Sequence, residues 1–191
     1  MFVMTIDQRR SRSEPDAVPA LDLLLSPDRT VRPFERTAGD EVQGLLDDPD
    51  AVVDMALTLV RDGGWSIGIG VGEVERPLAD SVRANRGPAF VAARQAVERA
   101  KSSPLHVAVE AESSGGELAE TALLLVAGIV DRRSEAGWQA VDAMATSETQ
   151  AVAAASLGIS PQAMNRRLRV AGYVEERRGH ALVTHLLEAA R

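Results

Sequence analysis

Cysteine is missing from all 191 residues, which excludes disulfides, thiolate nucleophiles and Cys-ligated zinc or iron–sulfur clusters. Histidine occurs only at His106, His180 and His185, too few for a His-rich metal site. Lysine occurs once, at Lys101, among twenty-one basic residues, a bias that reads as genome composition and carries no function. No apolar run approaches the roughly 18 residues a membrane span needs. The longest, Ala122–Val130, has nine residues and includes a glycine. No basic stretch precedes an apolar one at the N-terminus, so no signal peptide is expected, and the cytoplasm is the expected location with no membrane partner. What remains is an ordinary globular balance, 45% hydrophobic and 26% charged, in a length that suits one large domain or two small ones.

The net charge of −7 is unevenly placed. Residues 137–191 carry six arginines against five acidic residues, and the part before them holds the acidic excess. Within 160–181 there are five arginines and two glutamates. A basic cluster on an acidic chain points to a local anion-binding surface, although a solvated charged face has the same composition.

Hydrophobic spacing predicts a strand over Phe2–Asp7, helical spacing over Asp16–Leu25, and two strands, Val31–Thr37 and Glu41–Leu46, joined by a turn at Thr37–Asp40. A helix follows over Ala51–Val60, started by Asp47–Asp50 and stopped at Gly63-Gly64. Trp65–Val74 reads as a strand with Gly68, Gly70 and Gly72 on one face, suited to close approach by a helix or a ligand. These glycines are no dinucleotide fingerprint, since the third glycine would fall on Glu73. Helices over Pro88–Lys101 and Glu117–Arg132 flank a strand at Leu105–Glu110. This order predicts an α+β domain over 1–135 with its helices on one face of the sheet. Beyond a boundary near Glu135–Gly137 the pattern is helical, and 136–191 is expected to be an all-helical or winged helix-turn-helix domain.

Thr149–Leu168 carries the most specific signal. Ala154 supplies the small residue needed where two helices cross, and Gly158 tolerates the positive φ of the turn. Met164 and Leu168 give the second helix a buried stripe, while Ser160 can cap it with Pro161 at its first position. The other face presents Gln162, Asn165, Arg166 and Arg169, with Arg167 adjacent. Arginine reads guanine or holds phosphate, and asparagine and glutamine read adenine, so double-stranded DNA is the expected partner. Tyr173–Gly179 resembles a wing, which would place Arg177 and Arg178 at the DNA backbone. Helix-turn-helix proteins usually bind as two-fold dimers, so a homodimer is expected, with surplus apolar residues of Glu117–Arg132 available to it. His180 and His185, five apart, read as surface residues.

Asp7, the stretch Gly39–Leu46, Ile67–Glu73 and Gly87–Arg94 together resemble the SatD family of bacterial proteins and, more distantly, the class III nucleotidyl cyclase homology domain, over most of residues 1–110. The resemblance implies a ferredoxin-like, cyclase-like βαββαβ fold, and the helix-turn-helix tail suits SatD-like proteins. It also implies roles for particular residues. Asp7 and Asp40 fall where two cyclase aspartates hold catalytic metal ions, Arg36 falls where a base-selecting lysine stands, and Arg94 keeps the arginine of an Asn-x-x-x-Arg pair. Phe90 replaces the asparagine, and Gln8-Arg9-Arg10-Ser11 replaces the usual continuation of the first strand. Losing a positioned transition-state donor typically costs orders of magnitude in rate. The expectation is therefore a non-catalytic domain with no required cofactor and a vestigial nucleotide or metal site at Asp7, Arg36, Asp40 and Arg94, able to sense a small-molecule or nucleotide effector or to mediate dimerisation. Two other readings stay open: a Mg²⁺-dependent nucleotidyl cyclase or transferase using Asp7, Asp40 and Arg94, and a protein-interaction adaptor. The ordinary alternatives are that Asp40 is a hairpin residue and Asp7 caps a turn. No nucleophile elbow, P-loop or His-Glu-x-x-His motif is present.

Overall fold

A computed structural model describes residues Met1–Arg191. Strand β1 (Phe2–Gln8) is followed by a 3₁₀ turn at Val18–Ala20 that runs into the single turn of α1 (Leu21–Leu24). The hairpin of β2 (Arg32–Ala38) and β3 (Glu41–Leu46) leads to α2 (Pro49–Asp62) and β4 (Trp65–Val71). Helix α3 (Pro88–Ala100), β5 (Val107–Ala111) and α4 (Gly115–Asp131) complete the sheet region. The chain ends in α5 (Glu135–Ala145), α6 (Gln150–Ser156), α7 (Pro161–Val170) and α8 (Tyr173–Ala189). The protein is thus α+β, and no helix is long and apolar enough to cross a membrane.

The sheet order is β2-β3-β1-β4-β5, antiparallel throughout except for the β4–β5 pair. Central β1 pairs Met4 with Gly44 of β3 and Ile69 of β4. Because side chains alternate along a strand, Phe2, Met4 and Ile6 join Ile67, Ile69 and Val71 on one face, in the main core with α2 and α4. Val3, Leu45, Ala89 and Ala93 cluster on the other face.

That second face corrects the expectation of helices on one face only, since α3 lies across it beside a 3₁₀ turn at Val82–Ala84. The glycines of β4 are the reason. A Cβ on Gly68 would run into the backbone of Val97 and Ala93, and one on Gly70 into the backbone of Ala89 and Ala93. Small residues on α3 complete the close approach, with Ala96 and Ala100 packed on Ala108. The glycine stripe therefore serves helix packing. The β4 strand also stops at Val71, short of the expected Val74, and Asp16–Leu25 yields only short helical turns.

Local chemistry sets the element ends. Asp48 caps α2, its Oδ1 accepting from the Asp50 N–H at 2.9 Å, and Gly63 closes the helix at φ +80°. Gly39 takes φ +58° in the β2–β3 turn.

The expected wing is absent: Tyr173–Gly179 forms the first two turns of α8. Glu175 and Glu176 favour a helix start by complementing its N-terminal dipole. Gly179 is the point where α8 closes on α4, since a Cβ there would strike Val126. Val183, Leu187 and Ala190 then join the main core, while α5, α6 and α7 share a small core of their own. His180 is no free surface residue, because its Nε2 lies 2.9 Å from Asp54 Oδ1 on α2.

Candidate nucleic-acid interface

Each helix of the α5–α7 unit begins on a hydroxyl cap. Ser134 Oγ accepts from Gly137 N–H at 3.3 Å, Thr149 Oγ1 from Val152 N–H at 3.2 Å, and Ser160 Oγ from Ala163 N–H at 3.2 Å. Gly158 takes φ +64° in the turn between α6 and α7. Ala140, Ala153, Ala154, Met164 and Leu168 are buried where the three helices meet. Alanines at 153 and 154 let α6 sit close to α7, and Met164 and Leu168, four apart, direct one face of α7 inward.

The opposite face of α7 carries Gln162, Asn165, Arg166 and Arg169, all exposed. Their spacing of i, i+3, i+4 and i+7 puts them on a single stripe. Neither Arg166 nor Arg169 makes a salt bridge within the chain, so both guanidiniums are available to an external anion. Arg167 is turned aside, half-buried, with its Nη1 donating to Gln139 Oε1 at 3.4 Å. Arg177 and Arg178 stand exposed on α8, and Arg177 lies against Tyr173, 5.9 Å from its ring centroid. Val170, 76% exposed, leaves an apolar side chain on the surface at the end of the stripe. Sequence reasoning passed over it because an apolar residue in a helix is ordinarily assigned to the core.

Five side chains tie this unit to α2 and α8. The Arg133 side chain is fully buried, Nε donating to the Ala171 carbonyl at 3.0 Å and Nη2 to Glu176 at 2.6 Å. Its guanidinium carbon lies 4.3 Å from the centre of the Trp138 ring, and that of Arg61 lies 3.8 Å from it. Two guanidiniums cannot occupy one face at those distances, so the indole lies between them. Arg61 also makes paired 2.8 Å bonds to Asp142.

The residues implied by the cyclase resemblance do not converge. Asp7 and Asp40 line one polar cavity of about 510 Å³, together with Arg9, Arg10, Arg12 and Lys101. Arg36 is drawn away to Asp16, at 2.7 and 2.9 Å, and to the Gly39 carbonyl. Arg94 donates to Glu41 Oε1 at 2.7 Å. Burial pushes the Asp7 carboxyl above its usual range, against the pull of Lys101, whose Nζ lies 3.0 Å away. Burial also acts to lower Lys101, but its bonds to Glu98 and Asp7 outweigh this and hold it above its ordinary value. A Mg²⁺ ion needs several oxygen ligands around one point. Lys101 takes that place beside Asp7, and no three carboxylate or imidazole groups gather closely enough to hold a metal. The residues as arranged do not fit the ion.

No protein-family model, curated protein or solved structure matches the chain.

Proposed function

We propose that the protein is a DNA-binding transcriptional regulator in which α5–α7 is a helix-turn-helix and α7 is the helix that enters the major groove. The observation that carries this reading is the single exposed stripe of Gln162, Asn165, Arg166 and Arg169, backed by the α5–α7 core and free of carboxylate partners. Such a stripe combines bidentate base readers with phosphate-binding cations. We read the first part of the chain as a ferredoxin-like, SatD-like domain related distantly to cyclases. Support comes from the antiparallel order β2-β3-β1-β4 and from the helical pieces that follow β1 and β3. In this reading the domain senses an effector or joins two copies, and no metal takes part.

Duplex selection on the full chain, followed by a salt series on the recovered sequence, tests the proposal. Specific binding should weaken steeply with salt, because each neutralised phosphate releases counterions. Arg166→Ala and Arg169→Ala should each lower affinity by about 1–3 kcal/mol. Neither should change the melting temperature, since both side chains are exposed and unpaired. Unchanged affinity in the double variant would remove α7 from the interface.

A further inference from the structure

The outward faces of α4 and α8 enclose an apolar groove of about 370 Å³ that nothing within the chain covers. On α4 the groove is lined by Leu118, Ala122, Leu125 and Ile129, which step by four, three and four residues. On α8, Gly179, Leu182 and Leu186 step by three and four. This is the spacing of helices that pack along a seam; Ala122 forms its floor, shared with the main core, while Leu118, Leu125 and Ile129 lie outside that core. Leu118 is 61% exposed, Leu125 70% and Leu182 52%. A contiguous apolar patch of this kind marks an interaction site.

Charge identifies the occupant. Glu117 and Arg132 lie eight residues before and seven after Leu125, and both are exposed. Neither makes a salt bridge within the chain. Helices α4 and α8 run antiparallel, with Gly172 beside Ile129, Gly179 beside Val126 and Ala190 beside Gly115. A two-fold axis crossing both helices at the level of Leu125 would set each Glu117 beside the partner's Arg132. The same axis meets α8 near residue 180 and sets Glu175 beside the partner's His185. One operator thus pairs opposite charges on α4 while it closes the groove, as a self-complementary interface requires.

We propose that this groove binds a second copy of the chain, so that α4 and α8 of two protomers form an antiparallel four-helix bundle. Its bearing on DNA rests on the reading above: the two-fold axis would present two α7 helices to two half-sites.

Sedimentation of the full chain without DNA is the first test. The expected species has twice the 20.3 kDa chain mass, and Leu125→Glu should convert it to single chains with an unchanged circular dichroism spectrum. Glu117→Arg and Arg132→Glu should each weaken dimerisation by roughly tenfold, about 1.4 kcal/mol. Combining them should restore it, because the reversed charges meet again. A wild-type protein that stays at single-chain mass up to roughly 100 µM would overturn the interface, as would a dimer indifferent to Leu125→Glu. The mass measurement contains no DNA, so a dimer without duplex binding would defeat the regulator reading alone. Duplex binding by single chains would defeat the interface alone.

Discussion

At the scale of single residues, the strongest constraint in the sheet is the missing side chain at Gly68. Adding one methyl there would force α3 off the sheet, because the atoms it meets are the Val97 amide and the Ala93 carbonyl and cannot rotate away. Overpacking of this kind typically costs about 1–3 kcal/mol, and more where backbone must move. Gly72, on the same face, is different: its nearest neighbour would be the Ala89 amide at 3.4 Å, an ordinary contact. Gly68→Ala should therefore lower the melting temperature by several degrees, and Gly72→Ala should leave it nearly unchanged. Calorimetry on the two variants checks this, and equal losses would mean that the stripe is not a graded packing surface. Arg133 is a second constraint. Its buried guanidinium satisfies the Ala171 carbonyl and the Glu176 carboxylate together. Arg133→Ala would strand both, and breaking a buried pair by removing one partner costs about 3–5 kcal/mol. Urea denaturation should show that loss. Adding Glu176→Ala should recover part of it, since the stranded carboxylate is then gone, and strict additivity would show that the pair is uncoupled.

At the scale of elements, legibility followed the range of the forces involved. Helix α7 could be read in detail because its determinants lie within one stretch: the Ser160 cap, Pro161, the buried pair Met164 and Leu168, and the exposed stripe between them. The β2–β3 hairpin was equally local, turning at Gly39. The first two turns of α8 are not legible in the sequence, because the force that keeps them helical comes from elsewhere. Gly179 weakens a helix in isolation, and it is used here for contact with Val126, fifty-three residues earlier. Placing α3 on the far side of the sheet likewise depends on which face the strands present, and alternation does not name the face. At the candidate site the stripe itself was legible, whereas the diversion of Arg167 to Gln139 was not, since Gln139 belongs to another helix. The same holds for Arg36 and Arg94, whose partners Asp16 and Glu41 come from neighbouring segments.

At the scale of the whole molecule, α8 links the α5–α7 unit to the sheet region, entering from α7 through Gly172 and packing on α4 and α2. One polar clamp holds its middle. His180 Nε2 lies 2.9 Å from Asp54 and Nδ1 3.5 Å from Asp50, both on α2, while Arg29 bonds Asp48, Asp50 and Asp54 on the same surface. The Asp54 bond raises His180 above its ordinary value of 6.5, against the effect of burial and with further help from Asp50 and Glu176. Asp54 in turn is held below its ordinary 3.8, chiefly by His180, with Arg29 adding to the effect against burial. A raised histidine contributes its full stability below pH 6.5 and loses it as pH rises through the raised value. The depressed aspartate contributes above pH 3.8 and loses its part as pH falls through the lowered value. The clamp is therefore strongest between those limits and weakens on the alkaline side. Asp54 is half exposed, so water screens the pair and its worth is about 0.2–1 kcal/mol. Urea midpoints for wild type and His180→Ala, measured between pH 5 and pH 9, should differ most at the acid end and converge toward the alkaline end. A gap that stays constant or widens with pH would show that the imidazole holds α8 as a neutral packing group and not as a cation.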